Sequence, residues 1–445
     1  MSDADIKPDG GRLKGRAVYV VDGTRTPFLK ARGRQGPFTA SDLALAAGRA
    51  LLNRCGITPE QLDQLILGCV SSGVDEANIG RVVALRLGCS EKMPAWTVQR
   101  NCASGMQSIE SAALDIATGR SDLVMAGGTE AMSHHPVMLN SLMVNWLGAW
   151  SQARSLGARG RALMQLRMQH FKPVIALLRG LTDPVVGLSM GQTAEELAER
   201  FGIDRTMMDG YAVRSHLRLA KAFDDGHMNE IEPLYDADGN VYEQDDGVRA
   251  DSSVEALAKL RPVFDRPVGR VTAGNSAQVS DGAAMLLLAS EGAVERHDLP
   301  VLGRIVDSEW AGLDPAQMGL GPVHAMAPIM QRQDLQTEDI GTWEINEAFA
   351  AQVLACCRAW SSDDYAQQQM HLPAAFAPID EERLNVDGGG ISLGHPVGAS
   401  GARITLHALK VMQRNQQRLG MASLCIGGGQ GGALLLENTT LGAGA

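Results

Sequence analysis

Short apolar runs recur along this chain between Gly-rich corners, and they alternate with stretches whose apolar residues fall three and four apart. Residues 17–22 predict a first strand, closed by a turn at Gly23-Thr-Arg-Thr-Pro27. Residues 41–52 have the helical period, with Ser41 placed to cap them. Thr58-Pro-Glu-Gln-Leu-Asp63 predicts a capped helical turn, 65–70 a buried strand, and 122–126 another that ends in Gly127-Gly128. Between them an apolar approach, 96–98, meets a polar corner at Asn101, then Cys102, then a helix stopping near Gly119. Ala103, Gly105, Ser108, Ala112 and Ala113 are small enough to let that helix be buried at close quarters. Further on, 191–201 and 204–223 read as amphipathic helices, 236–251 as a loop, 262–281 as turn-rich, and 283–289 as a strand of the first core.

The last third repeats the first. Leu62, Leu65 and Leu67 match Ile340, Trp343 and Ile345 at an offset of 278. Ala103-Ser-Gly105 matches Ala399-Ser-Gly401 at 296, and 123–126 with its glycines matches 423–426 with Gly427 at 300. Three matches in one order at slowly growing offsets predict an internal duplication of strand–helix–strand units, hence an α/β fold with largely buried strands.

Length, 445 residues, allows two or three domains, and 45% apolar with 20% charged residues is ordinary for a globular chain. The net charge of −11 implies no general affinity for nucleic acid. Seven cysteines, an odd number without a Cys-x-x-Cys pair, speak against a disulfide framework or a metal site and for a reducing, cytoplasmic setting. The first fifteen residues are polar and acidic, unlike a targeting segment, and no apolar run approaches a membrane span. One region departs from the rest: 131–182 holds no Asp or Glu but carries Arg154, Arg159, Arg161, Arg167, Lys172 and Arg179. The remainder of the chain therefore carries −17. Trp146, Trp150 and Phe171 lie among these cations, a mixture suited to an acidic partner or an anionic membrane face.

Four stretches carry chemistry. Cys102 lies at a helix start, where free N–H groups and the positive end of the dipole favour thiolate; otherwise it is a small buried apolar residue. Asn346, in Glu344-Ile-Asn-Glu-Ala-Phe-Ala350, sits at a strand–helix corner where an amide can hold a water or an oxyanion, or else cap the helix. His395 stands among Gly388, Gly389, Gly390, Gly394 and Gly398 and is a natural base for a thiol. Cys425 ends a buried strand, and the glycines after it offer free N–H groups to an oxyanion. Without a Gly-Lys-Ser/Thr step that glycine run is no nucleotide loop.

Asn101-Cys-Ala-Ser-Gly105, Asn346-Glu-Ala-Phe349, Gly394-His-Pro396 with Gly398-Ala-Ser-Gly401, and Cys425-Ile-Gly-Gly-Gly429 together resemble the active-site blocks of the thiolases, over about residues 14 to 440. The resemblance implies a thiolase fold: two duplicated βαβαβ-type units stacked as a five-layer αβαβα core. Its expected parts are an N-terminal core of 14–131 and 278–300, a loop domain of 132–277 with the basic insert 141–181, and a C-terminal core of 301–445. It implies Cys102 as acyl-accepting nucleophile, His395 as its activator, and Cys425 as the acid/base. Asn346 (through a water) and His395 then form one oxyanion site, and the N–H groups of Cys102 and Gly427 the other. Met190, Ser276 and Gly394 are expected against the substrate. The implied reaction is CoA-dependent cleavage of 3-ketoacyl-CoA to acetyl-CoA and a shortened acyl-CoA, as in fatty-acid β-oxidation. Coenzyme A is a substrate and no cofactor is permanently bound. Alternatives are a biosynthetic enzyme making acetoacetyl-CoA, a decarboxylating synthase (disfavoured by Asn346 and Cys425), and an inactive CoA-binding scaffold. The two inserts, the basic one and 359–383, resemble the β-subunit of the fatty-acid-oxidation trifunctional complex. That implies a hydratase/dehydrogenase α-subunit partner, a peripheral membrane contact, and assembly as a homodimer or homotetramer. Asn346-Glu347 instead resembles the stand-alone tetrameric type. Ser189, Ala277 and His227 depart from positions where that type has His, Ser and a CoA-phosphate Arg.

Overall fold

The apolar runs become strands of one sheet. The computed structural model describes residues 11–441, so the first ten residues of the N-terminal stretch read above, and 442–445 of the expected C-terminal core, lie outside the described residues. The main strands of the sheet are β1 (Val18–Arg25), β2 (Gln64–Gly68), β3 (Ala95–Val98), β4 (Leu123–Ala131), β5 (Ser280–Ala289), β6 (Gly303–Gly312), β7 (Thr342–Ile345), β8 (Leu419–Ile426) and β9 (Gln430–Glu437), and the two-residue strand Leu29–Lys30 pairs with the start of β5. Their order across the sheet is β7-β8-β9-β6-β1-β5-β4-β2-β3. β2 is parallel to both β3 and β4, and β7 to β8, while the remaining neighbours are antiparallel. The halves join where Val18–Val20 meets Gly303–Ile305, only three paired positions.

Period-two patterning decides what each face meets. In β4 and β5, Val124, Ala126, Leu286 and Leu288 face a central core, and Leu123, Met125, Leu287 and Ala289 face an outer one. In β8, Ala422, Leu424 and Ile426 share that central core, while Leu419 and Met421 face the other outer core. Helices α1 (Ala40–Cys55) and α2 (Ile79–Leu87) supply the outer core of the first half, and α3 (Ser104–Ala117) enters the central one. The basic insert forms α4 (Ser141–Gln152) and α5 (Leu156–Gln165), and the connecting region forms α6 (Met190–Arg200) and α7 (Arg205–Asp224). Then α8 (Gly321–Gln333) and α9 (Ala350–Trp360) cover the second half, and α10 (Val397–Arg414) lies beside α3 in the middle. The result is helix, sheet, helix, sheet, helix: a five-layer αβαβα core with an inserted loop region, built from two equivalent halves.

The duplicated Ala-Ser-Gly triplets meet at the centre. A Cβ on Gly105 of α3 would lie 2.8 Å from the Gly398 carbonyl oxygen, and one on Gly401 of α10 would lie 2.6 Å from the Met106 nitrogen. The two helices therefore cross backbone to backbone, and only glycine permits it.

Three local expectations are corrected. β1 does not turn at Gly23 but runs to Arg25, because the Arg25 guanidinium is pinned in the interior by Asp245 at 2.6 and 2.8 Å and the Arg25 backbone N–H donates to the Glu230 carbonyl. Thr39, not Ser41, caps α1 by accepting from the Asp42 N–H, and Ser41 turns to Glu76. The loop at 236–251 contains one arm of a short hairpin, Leu234–Tyr235 with Val241–Tyr242.

Candidate active site

Each half of the duplication delivers one loop to the central crevice. After β3 the chain turns at Asn101, whose φ of +44° puts it in the left-handed region, and its amide donates to the Gly427 carbonyl at 2.8 Å. Cys102 follows, two residues before α3 begins at Ser104. The N–H groups of Gly427 and of Cys102 itself both point at its sulfur. They do not win. Burial pushes the Cys102 thiol up to about 11, so the expectation that the helix start favours thiolate is overturned in the free protein.

His395 lies in the equivalent place before α10. Its N–H donates to the Gln278 carbonyl at 3.1 Å, and its Nδ1 lies 2.6 Å from the Ser400 hydroxyl. The Ser400 hydroxyl also reaches the Pro396 carbonyl at 3.0 Å, and with its one proton placed there its oxygen accepts from His395 Nδ1–H. In that tautomer Nε2 carries the lone pair, and among the described residues no group hydrogen-bonds it. Burial, and then the charge of Arg403, pull His395 down to about 4, so the imidazole is neutral at physiological pH. Cys425 ends β8, 1% exposed, and burial followed by the neighbouring Cys102 raises its thiol well above the ordinary range.

Cys102, His395 and Cys425 line one cavity of about 330 Å³, together with Met190, Ser276 and Phe349. Asn346 stands behind it, fully buried, with Nδ2 3.5 Å from His395 Nδ1 and, among the described residues, no partner for Oδ1. It caps nothing, since α9 starts four residues later at Ala350 with Phe349 before it. Gly394, with φ +115°, lines neither cavity at Cys102; a Cβ there would strike the Ser280 hydroxyl at 2.3 Å, so its part is to shape the His395 loop. Ser276 lines the cavity, but its hydroxyl donates to the Thr272 carbonyl at 2.7 Å. Ser189, one of the departures, is used as the N-cap of α6. His227 lies 3.4 Å from Asp387. Met190 and Cys102 also line a second cavity of about 310 Å³, walled by His135, Gly427, Gly428 and the end of the basic insert at Leu177 and Leu181.

Sequence reasoning missed two supports. Ser400 is the repeat counterpart of Ser104, which likewise turns its hydroxyl back onto the preceding loop, at the Asn101 carbonyl; the offset of 296 held that signal. Glu347, beside Asn346, is buried and accepts from Tyr211, Ser215, Asn385 and the Ile391 N–H at 2.9, 2.6, 3.0 and 3.3 Å. It fastens α7 and the approach to His395 onto the end of β7, and no periodicity announces it.

The chain matches the models of the thiolase N-terminal domain over residues 18–292 and the thiolase C-terminal domain over 299–438. It is 37% identical over 429 residues to the mitochondrial 3-ketoacyl-CoA thiolase of Rattus norvegicus, covering 95% of this chain and 99% of that one. It is 34% identical to a 3-ketoacyl-CoA thiolase of Yersinia pestis, covering 95% and 97%. Its structure superposes on human mitochondrial 3-ketoacyl-CoA thiolase in complex with CoA with a TM-score of 0.81 at 35% identity, covering 96% and 99%. It superposes on an acetyl-CoA acetyltransferase from Syntrophomonas wolfei with a TM-score of 0.83 at 32% identity, covering 96% and 100%. The chain belongs to the thiolase family and is an acyltransferase.

Proposed function

We propose that this thiolase cleaves 3-ketoacyl-CoA with CoA, using the residues that meet at the 330 Å³ cavity. The observation that carries the reading is the convergence there of two thiols and a neutral imidazole. As the Cys102 sulfur attacks the C3 carbonyl, its proton passes to His395 Nε2. The oxyanion at the attacked carbon falls to the Cys102 and Gly427 N–H groups, which already point at that sulfur. The C2–C3 bond breaks, the acyl group stays on Cys102, and the departing acetyl-CoA enolate takes a proton from Cys425. Protonated His395, with Asn346 acting through a water, donates to the enolate oxygen. In the second half Cys425 takes the proton of the incoming CoA thiol, the CoA sulfur attacks the thioester, and Cys102 recovers its proton from His395. The biosynthetic direction runs through the same steps, but the second cavity offers room for a chain longer than acetyl.

Cys102→Ser is expected to give no acyl adduct by intact mass after incubation with 3-ketoacyl-CoA. Cys425→Ala is expected to lose turnover while Cys102 still alkylates. An undiminished adduct on the first, or retained turnover in the second, removes that residue from the mechanism.

Residues 14–131 and 278–300 are taken as one core unit, 301–445 as the other and 132–277 as the loop domain, supported by β5 pairing with β1 and β4. A homodimer or homotetramer is supported by β3, the sheet's end strand, which is half-buried and exposes Trp96. The basic insert is proposed as a docking face for an anionic membrane surface or an acidic hydratase/dehydrogenase subunit in the cytoplasm. Leu142, Val144, Leu147, Leu156, Leu163 and Phe171 are exposed there among its cations. Among the described residues no helix is long and apolar enough to cross a membrane.

A further inference from the structure

One residue on the wall of the 330 Å³ cavity, Gln278, holds the His395 loop with both its backbone and its side chain, and the reaction above gives it no part. Its backbone carbonyl accepts from the His395 N–H at 3.1 Å and from the Ser280 hydroxyl at 2.8 Å. Its side-chain Nε2 donates to two further carbonyls, that of Gly247 at 3.0 Å and that of Ile391 at 3.3 Å. Two carbonyl oxygens facing one end of an amide require that end to be the nitrogen. Ile391 and His395 bracket the loop, so a single residue grips it at both ends.

The grip falls where the chain is little able to hold itself. Between the two bonds lie one helical turn, Gly390–Leu393, and then Gly394 at φ +115°. A single turn has too few internal bonds to stand alone. On the other side of that turn the Ile391 N–H donates to Glu347 at 3.3 Å. Gln278 is itself anchored. The Ala277 N–H donates to the Ala348 carbonyl at 2.9 Å, and the Ala350 N–H to the Asn275 carbonyl at 3.0 Å, so 275–278 runs alongside the stretch that follows Asn346. Gly247 belongs to the loop whose Asp245 is pinned by Arg25. A Cβ there would lie 2.7 Å from Gln278 Nε2 and 2.8 Å from the Ser392 carbonyl oxygen, so glycine is what lets this loop come close enough to accept the amide. The amide does not serve the substrate instead. Its nitrogen is committed to the two carbonyls, and its oxygen is buried without a partner among the described residues.

We infer that Gln278 is the positioning residue for His395, fixing the loop of the base against the Asn346 stretch and the loop region, a role that rests on the thiolase reading above. In that reaction His395 Nε2 takes the Cys102 proton and later returns it. Both transfers are sensitive to a displacement of about 1 Å.

The test uses the full-length enzyme and the thiolysis of 3-oxohexanoyl-CoA by CoA. Gln278→Met keeps the length of the side chain and removes its donors. Gln278→Glu keeps the shape and sets a carboxylate against the two carbonyls. Each is expected to lower kcat by between about tenfold and about a hundredfold while KM stays within about twofold. Ser400 holds the same imidazole at Nδ1. In a Ser400→Ala background Gln278→Met is therefore expected to cost only about threefold or less, because two supports of one ring do not add. An unchanged kcat, a raised KM with kcat kept, or the same fold-loss in both backgrounds overturns the inference and leaves the thiolase reading intact. Failure of both variants to fold does so too, since the side chain is then merely structural. If the wild type cleaves neither 3-oxohexanoyl-CoA nor acetoacetyl-CoA, the thiolase reading itself falls, and this inference with it.

Discussion

Alkylation of Cys102 across pH separates two pictures of the resting enzyme. A cysteine governed by a helix start has its thiol lowered below the unperturbed ~8.5 and reacts as thiolate at neutral pH. Here burial places Cys102 at about 11 and His395 at about 4, so the resting pair is a thiol beside a neutral imidazole. A thiol near 11 is about one part in a thousand thiolate at pH 8 and about one in a hundred at pH 9. Its alkylation by iodoacetamide is therefore expected to rise about tenfold per pH unit from 7 to 9.5, without levelling. His395→Gln is expected to leave that slope unchanged in the free enzyme, because a neutral ring gives the thiolate no charge to pair with. The assay is timed quenching, digestion and mass spectrometry of the Cys102 peptide, with half-buried Cys55, pushed up to about 12 by burial, as internal reference. A plateau between pH 7 and 8.5, abolished by His395→Gln, would refute the argument and establish a preformed ion pair. The same assignment sets the acid limb of kcat/KM: it falls only as pH drops toward 4, where His395 becomes protonated and can no longer accept the thiol proton.

Ser400→Ala is expected to lower kcat at least tenfold with little change in KM, because His395 Nδ1 loses its acceptor and the ring its fixed tautomer; Ser400→Thr restores part of it, whereas an equal fall in both variants with lowered Tm would make the serine merely structural. Burial disfavours a charged His407, yet Glu230 at 3.0 Å and Asp387 at 3.2 Å overcome it and hold the imidazole up to about 10. With its pKa raised on folding, its stabilisation is full below the unfolded value near 6.5 and lost as pH rises through about 10. His407→Gln, which breaks a buried ion network, is expected to cost about 3 kcal/mol at pH 6 by denaturant unfolding, and a gap that stays constant to pH 10.5 would exclude the charge. Replacing Arg154, Arg159, Arg161 and Arg167 by Gln is expected to spare thiolysis and abolish flotation with anionic vesicles or co-purification with the acidic subunit, whichever is lost identifying the partner; both unchanged, the docking proposal fails.

Much of the architecture is legible because buried strands and buried helices repeat the same apolar grammar in both halves. The triplets at 103–105 and 399–401 are the plainest case: a spacing of small residues visible in the sequence is the close crossing of α3 and α10 in the structure. Boundaries were less legible where tertiary partners decide them. Nothing local says that β1 should run through Gly23 to Arg25; the reason lies in Asp245 and Glu230, more than two hundred residues away. The insert helices α4 and α5 escaped notice because a helix that leaves Leu142, Val144, Leu147 and Leu163 exposed shows no single apolar stripe.

The site divides along the same line between local and non-local causes. Cys102, His395 and Cys425 are legible because each stands at a corner between a buried run and glycines, and corners of that kind point side chains into a crevice. What they do there is set by surroundings that the sequence scatters. The helix-start argument for a thiolate used a local field of half a charge at most, while desolvation acts on the whole charge of the sulfur and grows with every apolar neighbour brought up by folding. Met190, Met318 and Val397, from three separate segments, share the cavity with Cys102, and together they reverse the sign of the local expectation. The reversal has a chemical consequence. A site that keeps its nucleophile protonated until a ketone displaces water makes the proton transfer to His395 part of the attack itself, so thiolate forms only where the Cys102 and Gly427 N–H groups have an oxyanion to receive.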